Sequence, residues 1–444
     1  TWDSGIISNL RCYGTNQPTL RDVTLSGGSG NALYALSSTL SLCRVEADSV
    51  GEAGLSLTSS VVQLDSVRVS QAGAEGLKIS STTVTGDSLE IRSCGSYAIR
   101  IGSGSRLDID PERTQIVGNG VQAIELAGQT YTSDCRLANF GVPYHVLSDL
   151  LVGKQSGQAR LTIDPGTRLE FASGTGLRVG LSNWGAYGGS LTAQGTPVAP
   201  IVFTARPGVT DWKGLYFDPY SGLFGNTSLL ESCTISGAGG TWDSGIISNL
   251  RCYGTNQPVV RECAFMGGTG TGLHLTSAPI TLQRSIVTAN AGDGIYTTGT
   301  AFTVGADSAC CNRIEGNGGY ELRLGDASNV NATYNWWGSD EESAIQAEIY
   351  DDADNPALGI ATYAPWSHQA CSEWPIPEPF HLIDPPNGER VLTLQPTFDW
   401  EDASGGQGIT YDLELDTEMG FPNPIRILAL AESHYTLQSP LTDG

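Results

Sequence analysis

One short stretch of this sequence contains three acidic residues. The run Asp351-Asp352-Ala353-Asp354 lies in a predicted loop, and carboxylate oxygens are ligands that Ca²⁺ prefers in proteins. The run lacks the spaced ligands and the terminal Glu of an EF-hand loop. We therefore predict that calcium, if the chain binds it, binds through Asp351, Asp352 and Asp354. A capping loop with surface charges is the alternative.

Residues suited to acid–base chemistry are scattered. Asp65 and Asp87 are 22 residues apart, so a fold with that period would stack them on one face. Such a pair is more typical of a solvated surface than of general acid–base catalysis, which needs a partner within hydrogen-bonding distance. None of the five histidines has an evident Ser or Cys nucleophile as its partner. The sequence therefore predicts no catalytic residue.

Tryptophans provide the candidate binding residues. Aromatic rings offer large apolar faces with a polar handle, and such faces can stack on sugar rings. We predict this role for Trp184 and Trp242. Neither residue lies in a motif that identifies a particular ligand.

These residues are set within two nested repeats. The stretch TWDSGIISNLRCYGTNQP occurs at residues 1–18 and again at 241–258. A shorter phrase also returns as NALYAL, GLSL, GLKI and AIRI, whose aligned residues Ala32, Gly54, Gly76 and Ala98 follow one another at steps of 22 residues. A fixed period of this length is the signature of a repeat architecture.

Each phrase alternates apolar and polar residues, as Leu55-Ser56-Leu57 and Leu77-Lys78-Ile79 show. Alternation over a few residues predicts a strand with one buried face. Further strand-like runs follow in each period, for example Val62-Gln63-Leu64. We predict an all-β coil of parallel strands, three short strands to a turn of about 22 residues, with like side chains stacked in columns. By phrase alignment His274 shares the outward column of Lys78.

Ten cysteines are present without zinc-type spacing. In the phrases ESCTIS and RECAFM, Cys233 and Cys263 occupy the same place one turn apart. Stacked neighbours are near enough for a disulfide, although parallel-strand geometry does not favour one. Two reduced, buried thiols are an equally good interpretation.

The phrases LTIDPGTRLEF, DWKGLYF and YNWWGSDEE occur at residues 161–171, 211–217 and 334–342. With them the sequence resembles the right-handed parallel β-helix repeat proteins of bacterial surfaces and secretions. In that family the last phrase closes a β-helical unit, and the resemblance implies that Trp336 and Trp337 cover the end of the core. The family's motifs are informative about architecture and much less so about chemistry.

The units have predictable boundaries. Residues 1–140 are interpreted as the C-terminal part of a first β-helix unit, and 141–367 as a second unit. Residues 368–378 read as a linker because they contain Pro and lose the periodicity. Residues 379–444 resemble an incomplete fibronectin type III-like sandwich, with Trp400 as its core tryptophan. We interpret both chain ends as boundaries within a longer protein.

Composition narrows the function classes. The formal net charge is −24 with only three Lys residues, and such a surface repels phosphate backbones, which argues against nucleic-acid binding. No run of 18 apolar residues is present, so we predict no membrane span. The even number of cysteines is compatible with an oxidising compartment.

We therefore expect an extracellular or cell-surface protein with a structural or adhesive role, such as a stalk, fibre or surface-layer component. Its expected partners are other copies of itself or extracellular glycans. Parallel β-helices also include polysaccharide lyases and hydrolases, so the resemblance leaves an enzyme of that type as one alternative. A non-catalytic glycan-binding module is another, since fold alone does not settle function.

Overall fold

The computed structural model describes residues 8–15, 19–182, 185–225, 227–255, 257–305, 311–371, 382–385, 393–401, 411–415, 425–430 and 432–437. The chain divides into two units, Thr1–Trp374 and Pro375–Gly444. This division falls within the segment 368–378 that the sequence marks as a linker. The larger unit is a parallel β-solenoid of stacked coils.

Long parallel sheets run along the solenoid. Among the described residues, sheet A has thirteen strands: Ser8–Tyr13, Asn31–Leu36, Leu55–Thr58, Leu77–Ser80, Tyr97–Gly102, Val121–Ala127, Tyr144–Val146, Arg168–Phe171, Ile201–Ala205, Cys233–Ser236, Ala264–Met266, Ile286–Thr288 and Arg313–Glu315. Sheet B has eight in the same described part: Leu20–Ser26, Thr39–Asp48, Val61–Asp65, Val67–Ser70, Thr83–Gly86, Leu89–Arg92, Arg106–Ile109 and Thr114–Val117.

Further sheets form the later coils. Sheet C consists of Gln129–Tyr131, Leu150–Val152, Leu177–Val179, Leu215–Phe217, Ser248–Tyr253, Thr271–Thr276, Ile295–Thr298, Leu322–Leu324 and Ile349–Tyr350. Sheet D consists of Cys135–Leu137, Lys154–Gln155, Gln158–Ile163, Tyr187–Gln194, Leu229–Glu231, Val259–Arg261 and Thr281–Gln283. A small sheet E consists of Phe302–Thr303, Val330–Asn331 and Ala361–Thr362.

The predicted column of apolar residues is confirmed. In sheet A, Leu33 pairs with Leu55 and Leu55 with Leu77, and Leu77 pairs with Ile99. All four side chains are 0% exposed. They belong to one hydrophobic core that continues from Cys12 to Ala361. The repeat period of the sequence thus sets which residues pair in neighbouring strands of the sheet. A one-residue slip in this pairing would turn each apolar side chain towards solvent.

The corners of the coil combine strained backbone with buried hydroxyls. Ser37, Ser59 and Ser81, spaced by 22 residues, have φ values of 52°, 49° and 47°, a left-handed conformation that is uncommon outside glycine. The hydroxyl of Ser60 accepts a hydrogen bond from the Ser38 amide at 3.1 Å, and Thr82 Oγ1 accepts from the Ser60 amide at 3.2 Å. This buried ladder ties each bend to the next coil and satisfies backbone donors that face the core.

One repeated sequence lies in two different sheets. The segment SNLRCY is a strand of sheet A at Ser8–Tyr13 and a strand of sheet C at Ser248–Tyr253. Its cysteine is buried in both copies, at Cys12 and Cys252. The local pattern therefore determines the strand and its inward face, whereas the preceding coils determine which sheet the strand joins.

The C-terminal coils are closed by local elements. The α-helix Glu342–Ala347 buries Ile345 in the core. A short 3₁₀ helix, Pro111–Arg113, interrupts an earlier coil. Trp337 is 2% exposed and packs in the core. Cys311 and Cys371 form a disulfide with their Cα atoms 5.9 Å apart, a pairing that the repeat pattern does not predict.

The smaller unit is antiparallel. Strands Leu382–Asp384, Thr397–Trp400 and His434–Thr436 form one sheet, and Tyr411–Leu415 pairs with Ile425–Leu430 in another. Trp400 is 5% exposed and its ring centroid lies 5.4 Å from that of Tyr411. In the described part of the chain, no helix is long and apolar enough to span a bilayer.

Candidate functional site

A line of charged side chains lies on the outer face of sheet A. In register, Lys78 pairs with Arg100, Arg100 with Glu125, Glu125 with His145, and His145 with Glu170. These residues alternate with the buried apolar residues of the same strands. Because neighbouring parallel strands are about 4.8 Å apart, the five side chains form one column along the solenoid, which we call the sheet A column.

Three contacts at hydrogen-bonding distance link His145 and Glu170 of this column to each other and to the neighbouring Tyr97 and Arg168. The Tyr97 hydroxyl lies 3.1 Å from His145 Nδ1, and His145 Nε2 lies 3.2 Å from Glu170 Oε2. Arg168 Nε donates to Glu170 Oε1 at 2.8 Å. The Tyr97 and His145 rings meet edge to face, with centroids 5.5 Å apart. Tyr97, His145 and Glu170 thus form a continuous relay.

The environment determines where the protons reside. Burial opposes the ionisation of Glu170, but hydrogen bonds from His145 and Arg168 outweigh it and lower the pKa of Glu170 to about 2. In the tautomer that donates from Nε2 to the ionised Glu170, His145 Nδ1 accepts a hydrogen bond from the Tyr97 hydroxyl. Burial raises the pKa of Tyr97, and the nearby Arg206 charge opposes that rise.

The three side chains are arranged as a hydroxyl, a base and a group that orients the base, although burial raises the pKa of Tyr97 and so opposes loss of its proton. A base within hydrogen-bonding reach can take the proton of Tyr97, and a third group orients that base and stabilises its charged form. Here His145 is the base and Glu170 the orienting group. The relay can therefore move a proton between Tyr97 and His145 as a ligand reacts at the phenol oxygen.

Two arginines of this face differ in their partners. Arg100 lies between two carboxylates, 3.4 Å from Glu75 and 3.1 Å from Glu125. Burial raises the pKa of Glu125, and the Arg100 charge counteracts it. Arg206, beside Tyr97, has a buried Nε without a hydrogen-bond partner in the part of the chain that the structure describes. Arg206 also hydrogen-bonds the Tyr97 side chain, which partly offsets the effect of burial on the pKa of Tyr97.

The predicted tryptophans have different outcomes. Trp242 is half-buried: its Nε1 donates to the Gly214 carbonyl at 3.4 Å, and Lys213 Nζ lies 4.7 Å from its ring centroid. Lys213 is in turn paired with Asp149 at 2.8 Å. These contacts hold Trp242 against the coil. Trp184 lies outside the described residues.

The predicted calcium loop has a structural explanation. Asp351 Oδ1 accepts from the Ala353 amide at 3.0 Å, and Oδ2 accepts from the Ala361 amide at 3.0 Å. Asp354 accepts from the Asp351 amide at 3.4 Å. Among the described residues no group of three His, Cys, Asp or Glu side chains converges on a possible metal position. Asp351 and Asp354 thus accept hydrogen bonds from backbone amides of residues 351–361, and calcium binding through Asp351, Asp352 and Asp354 stays a prediction.

The cysteine prediction is corrected in favour of its alternative. Thr234 pairs with Ala264, so Cys233 and Cys263 do occupy neighbouring coils as the phrases indicate. Both are nevertheless free, buried thiols. Burial, together with the neighbouring Cys263, raises the pKa of Cys233 far above its usual value, so this thiol stays protonated and packs as a small apolar group.

One further residue, His274, lies elsewhere than the phrase alignment predicts. His274 lies in sheet C, between Arg251 and Tyr296, and not in the sheet A column with Lys78. Its ring stacks on Tyr296 at 4.7 Å, and burial, aided by the Arg251 charge, lowers the pKa of His274 to about 4. The rings cover one another's faces, which suits packing between coils.

The relay was not visible in the sequence. Lys78, Arg100 and Glu125 are the outward residues of three successive phrases, and this pattern could have indicated a charged column. Tyr97 precedes its phrase and reaches across an intervening strand to His145. His145 follows Glu125 by 20 residues and Glu170 follows by 25 more, so the period of 22 residues no longer identifies their register.

Comparison with known proteins adds no relative: no family model, no curated protein and no solved structure matches this chain. The assignment of function therefore depends on the solenoid and on the chemistry of its outer faces.

Proposed function

We propose that this chain is part of an extracellular structural or adhesive repeat protein, such as a stalk, fibre or surface-layer component. The observation that carries the proposal is the single hydrophobic core that runs through both sequence units. A solenoid gains length by adding coils, each contacting only its neighbours. Duplication of a long segment therefore extends the solenoid without requiring a new fold. The net charge of −24 favours solubility of such a long, exposed protein.

The proposal includes finer points of architecture. We propose a right-handed β-helix with three strands in most turns, and a fibronectin type III-like arrangement for residues 379–444. The buried Trp400 and the antiparallel strands of the smaller unit support the second point. Partners in this role are further copies of the protein or extracellular glycans.

The adhesive role is tested with the purified chain. Binding to an array of extracellular glycans and self-association in sedimentation velocity are measured in parallel. Trp242→Ala is compared with Trp366→Ala, a half-buried tryptophan elsewhere in the same unit. We expect glycan binding or concentration-dependent assembly, and glycan binding that depends on Trp242 alone would identify its surface. A chain that stays monomeric and binds no glycan contradicts the adhesive role.

A second function is favoured by one specific observation, the relay of Tyr97, His145 and Glu170. Such a relay is what an enzyme needs to move a proton at a substrate, and a column along a solenoid can follow a chain-like substrate. We propose as this second candidate an enzyme that cleaves polysaccharides. New reducing ends after incubation with a polysaccharide panel test it, because hydrolysis and elimination both produce them.

A further inference from the structure

We propose that the outer face of sheet C binds a proline-rich polypeptide that carries carboxylates and adopts the polyproline II conformation. The binding surface is formed by His274, Tyr296, Arg323 and Tyr350, with Tyr320 beside them. The adhesive role proposed above has glycans and further copies of the chain as its partners, so a polypeptide partner is an addition to that role. Peptide binding and glycan binding can therefore fail independently.

Cations and aromatic rings follow one another along sheet C. The outward residues of successive strands pair in register, and we call them the sheet C column: Arg178, Tyr216, Arg251, His274, Tyr296, Arg323 and Tyr350. Arg178 and Arg251 lie 4.9 Å and 4.5 Å from the Tyr216 ring centroid. Arg323 lies 5.2 Å from the Tyr350 ring centroid. Side chains of neighbouring coils thus stack through cation–π contacts.

The first half of the sheet C column is buried and its cations are paired. Arg178, Tyr216 and Arg251 are all less than 10% exposed. Arg178 forms an ion pair with Asp218, and Arg251 forms one with Asp243. This half therefore packs neighbouring coils together and leaves little surface for a partner.

The second half of the column is open to solvent. The Arg323 side chain is 45% exposed, and among the described residues Asp293 is the one carboxylate within 4.0 Å of it, at 3.9 Å. That distance is too long for a hydrogen bond, so the Arg323 guanidinium keeps donors for a carboxylate of a partner. Tyr296 and Tyr350 are half-buried, and part of each ring is accessible.

The rings of this half form a surface that exists before any partner binds. Tyr296 stacks on His274 with ring centroids 4.7 Å apart, and Tyr320 lies 5.0 Å from Tyr350. Gly325 lies against the Tyr296 hydroxyl, and a Cβ atom at this glycine would collide with it. Because these rings are already ordered by their neighbours, binding costs little side-chain entropy.

The spacing of the rings matches a polyproline II helix. Tyr296 and Tyr350 both pair with Arg323, one on each side, so the two tyrosines are separated by two strand spacings, about 9.6 Å. A polyproline II helix advances about 9.3 Å in each turn of three residues. Prolines on successive turns can therefore contact Tyr296 and Tyr350, and a carboxylate between them can reach Arg323.

The chemistry of the surface fits the same partner. Aromatic-lined surfaces bind proline-rich segments because the preformed polyproline II helix loses little entropy on binding. Its backbone makes no internal hydrogen bonds, so its carbonyl groups can accept from tyrosine hydroxyls. A carboxylated glycan is the competing partner, since sugar rings also stack on aromatic residues. The repeat of two strand spacings from Tyr296 to Tyr350 favours the peptide, whose turn has that length.

The experiment measures binding of labelled synthetic peptides to the full chain by fluorescence anisotropy. The peptides contain about nine residues, three turns of the helix, as repeats of Pro-Pro-Glu, Pro-Pro-Lys or Gly-Ser-Glu. Oligogalacturonate is the glycan probe. The variants are Arg323→Gln, Tyr350→Leu and the milder Tyr350→Phe, which keeps the ring.

The matched controls lie on other faces of the solenoid. Arg284→Gln replaces an arginine that is 41% exposed beside sheet D, close to the 45% of Arg323. Tyr34→Leu replaces a half-buried tyrosine of sheet A. Far-UV circular dichroism checks that every variant is folded.

We expect the Pro-Pro-Glu peptide to bind at least about 10-fold more tightly than the other two. The net charge of −24 attracts the lysine peptide without any specific site, so a preference for the glutamate peptide reports the local cation. Arg323→Gln and Tyr350→Leu should each weaken binding by about 10-fold, because Arg and Tyr are the residue types whose truncation most often weakens interfaces. Tyr350→Phe and both controls should retain most of the binding.

Each other outcome overturns the inference in a recognisable way. Equal binding of the Gly-Ser-Glu peptide would show attraction by charge without polyproline II recognition, and equal binding of the lysine peptide would remove the role of Arg323. Peptide binding unchanged in Arg323→Gln and Tyr350→Leu would place the site elsewhere. Oligogalacturonate binding that depends on these residues, with no peptide binding below about 1 mM, would overturn the polypeptide partner and leave the adhesive role with glycans standing. Absence of all binding would overturn the surface itself.

Discussion

Glu321 should make the stability of the solenoid depend on pH. Its side chain is 3% exposed and ends a buried ladder of amides. Asn249 donates to Asn290 at 2.8 Å, Asn290 donates to Asn317 at 2.9 Å, and Asn317 donates to Glu321 Oε2 at 2.5 Å. Burial raises the pKa of Glu321 from 4.5 to about 7, against the hydrogen bonds from Asn317, with repulsion from Glu348 adding to the rise.

The sign and size of the effect follow from that pKa. The folded state holds the Glu321 proton more tightly than the unfolded state, so the associated stability is complete below pH 4.5 and is lost as the pH rises through about 7. One pH unit of difference corresponds to 1.36 kcal/mol. Between pH 4.5 and pH 8 the free energy of unfolding should therefore fall by roughly 3 kcal/mol on account of this group.

Urea unfolding at pH 4.5 and pH 8, followed by far-UV circular dichroism, tests this expectation for the wild type and for Glu321→Gln. The amide is neutral at both pH values, so the variant should lose the contribution of roughly 3 kcal/mol from its pH dependence. Glu341→Gln, an exposed carboxylate at the start of the α-helix, is the control and should retain it. An unchanged pH dependence in Glu321→Gln would refute the reasoning.

Two further predictions concern the solenoid itself. Leu77→Ala should destabilise the solenoid by about 2–5 kcal/mol because it leaves a cavity in a fully buried column. Replacing the adjacent, exposed side chain in Lys78→Ala should change stability by less than about 0.5 kcal/mol. Thermal unfolding of both variants provides the comparison, and equal losses of stability would contradict the assignment of Leu77 to the buried face and Lys78 to the exposed face. Cys371→Ser should lower the free energy of unfolding by about 2–4 kcal/mol by opening the link to Cys311, 60 residues away. Denaturation with and without reductant checks it, and a wild type insensitive to reductant would contradict it.

Much of the fold was accessible from the sequence because a solenoid converts sequence distance into spatial distance. Where the period is 22 residues, as from Leu33 to Ile99, each residue stacks on its counterpart, and alternation identifies the buried face. The same argument placed Cys233 beside Cys263. It was wrong for His274, because phrases of the same type lie in sheet A in the early coils and in sheet C in the later ones.

The strands, their inward faces and the parallel stacking could be predicted from the sequence, since these depend on hydrophobic periodicity within and between adjacent coils. The folded structure alone reveals which sheet each phrase joins, that Cys311 bonds Cys371, and that Tyr97, His145 and Glu170 lie in contact. These contacts join residues separated by irregular numbers of residues, so loop lengths and the path of the chain around the core determine them. Short sequence patterns do not specify the path of the chain around the core.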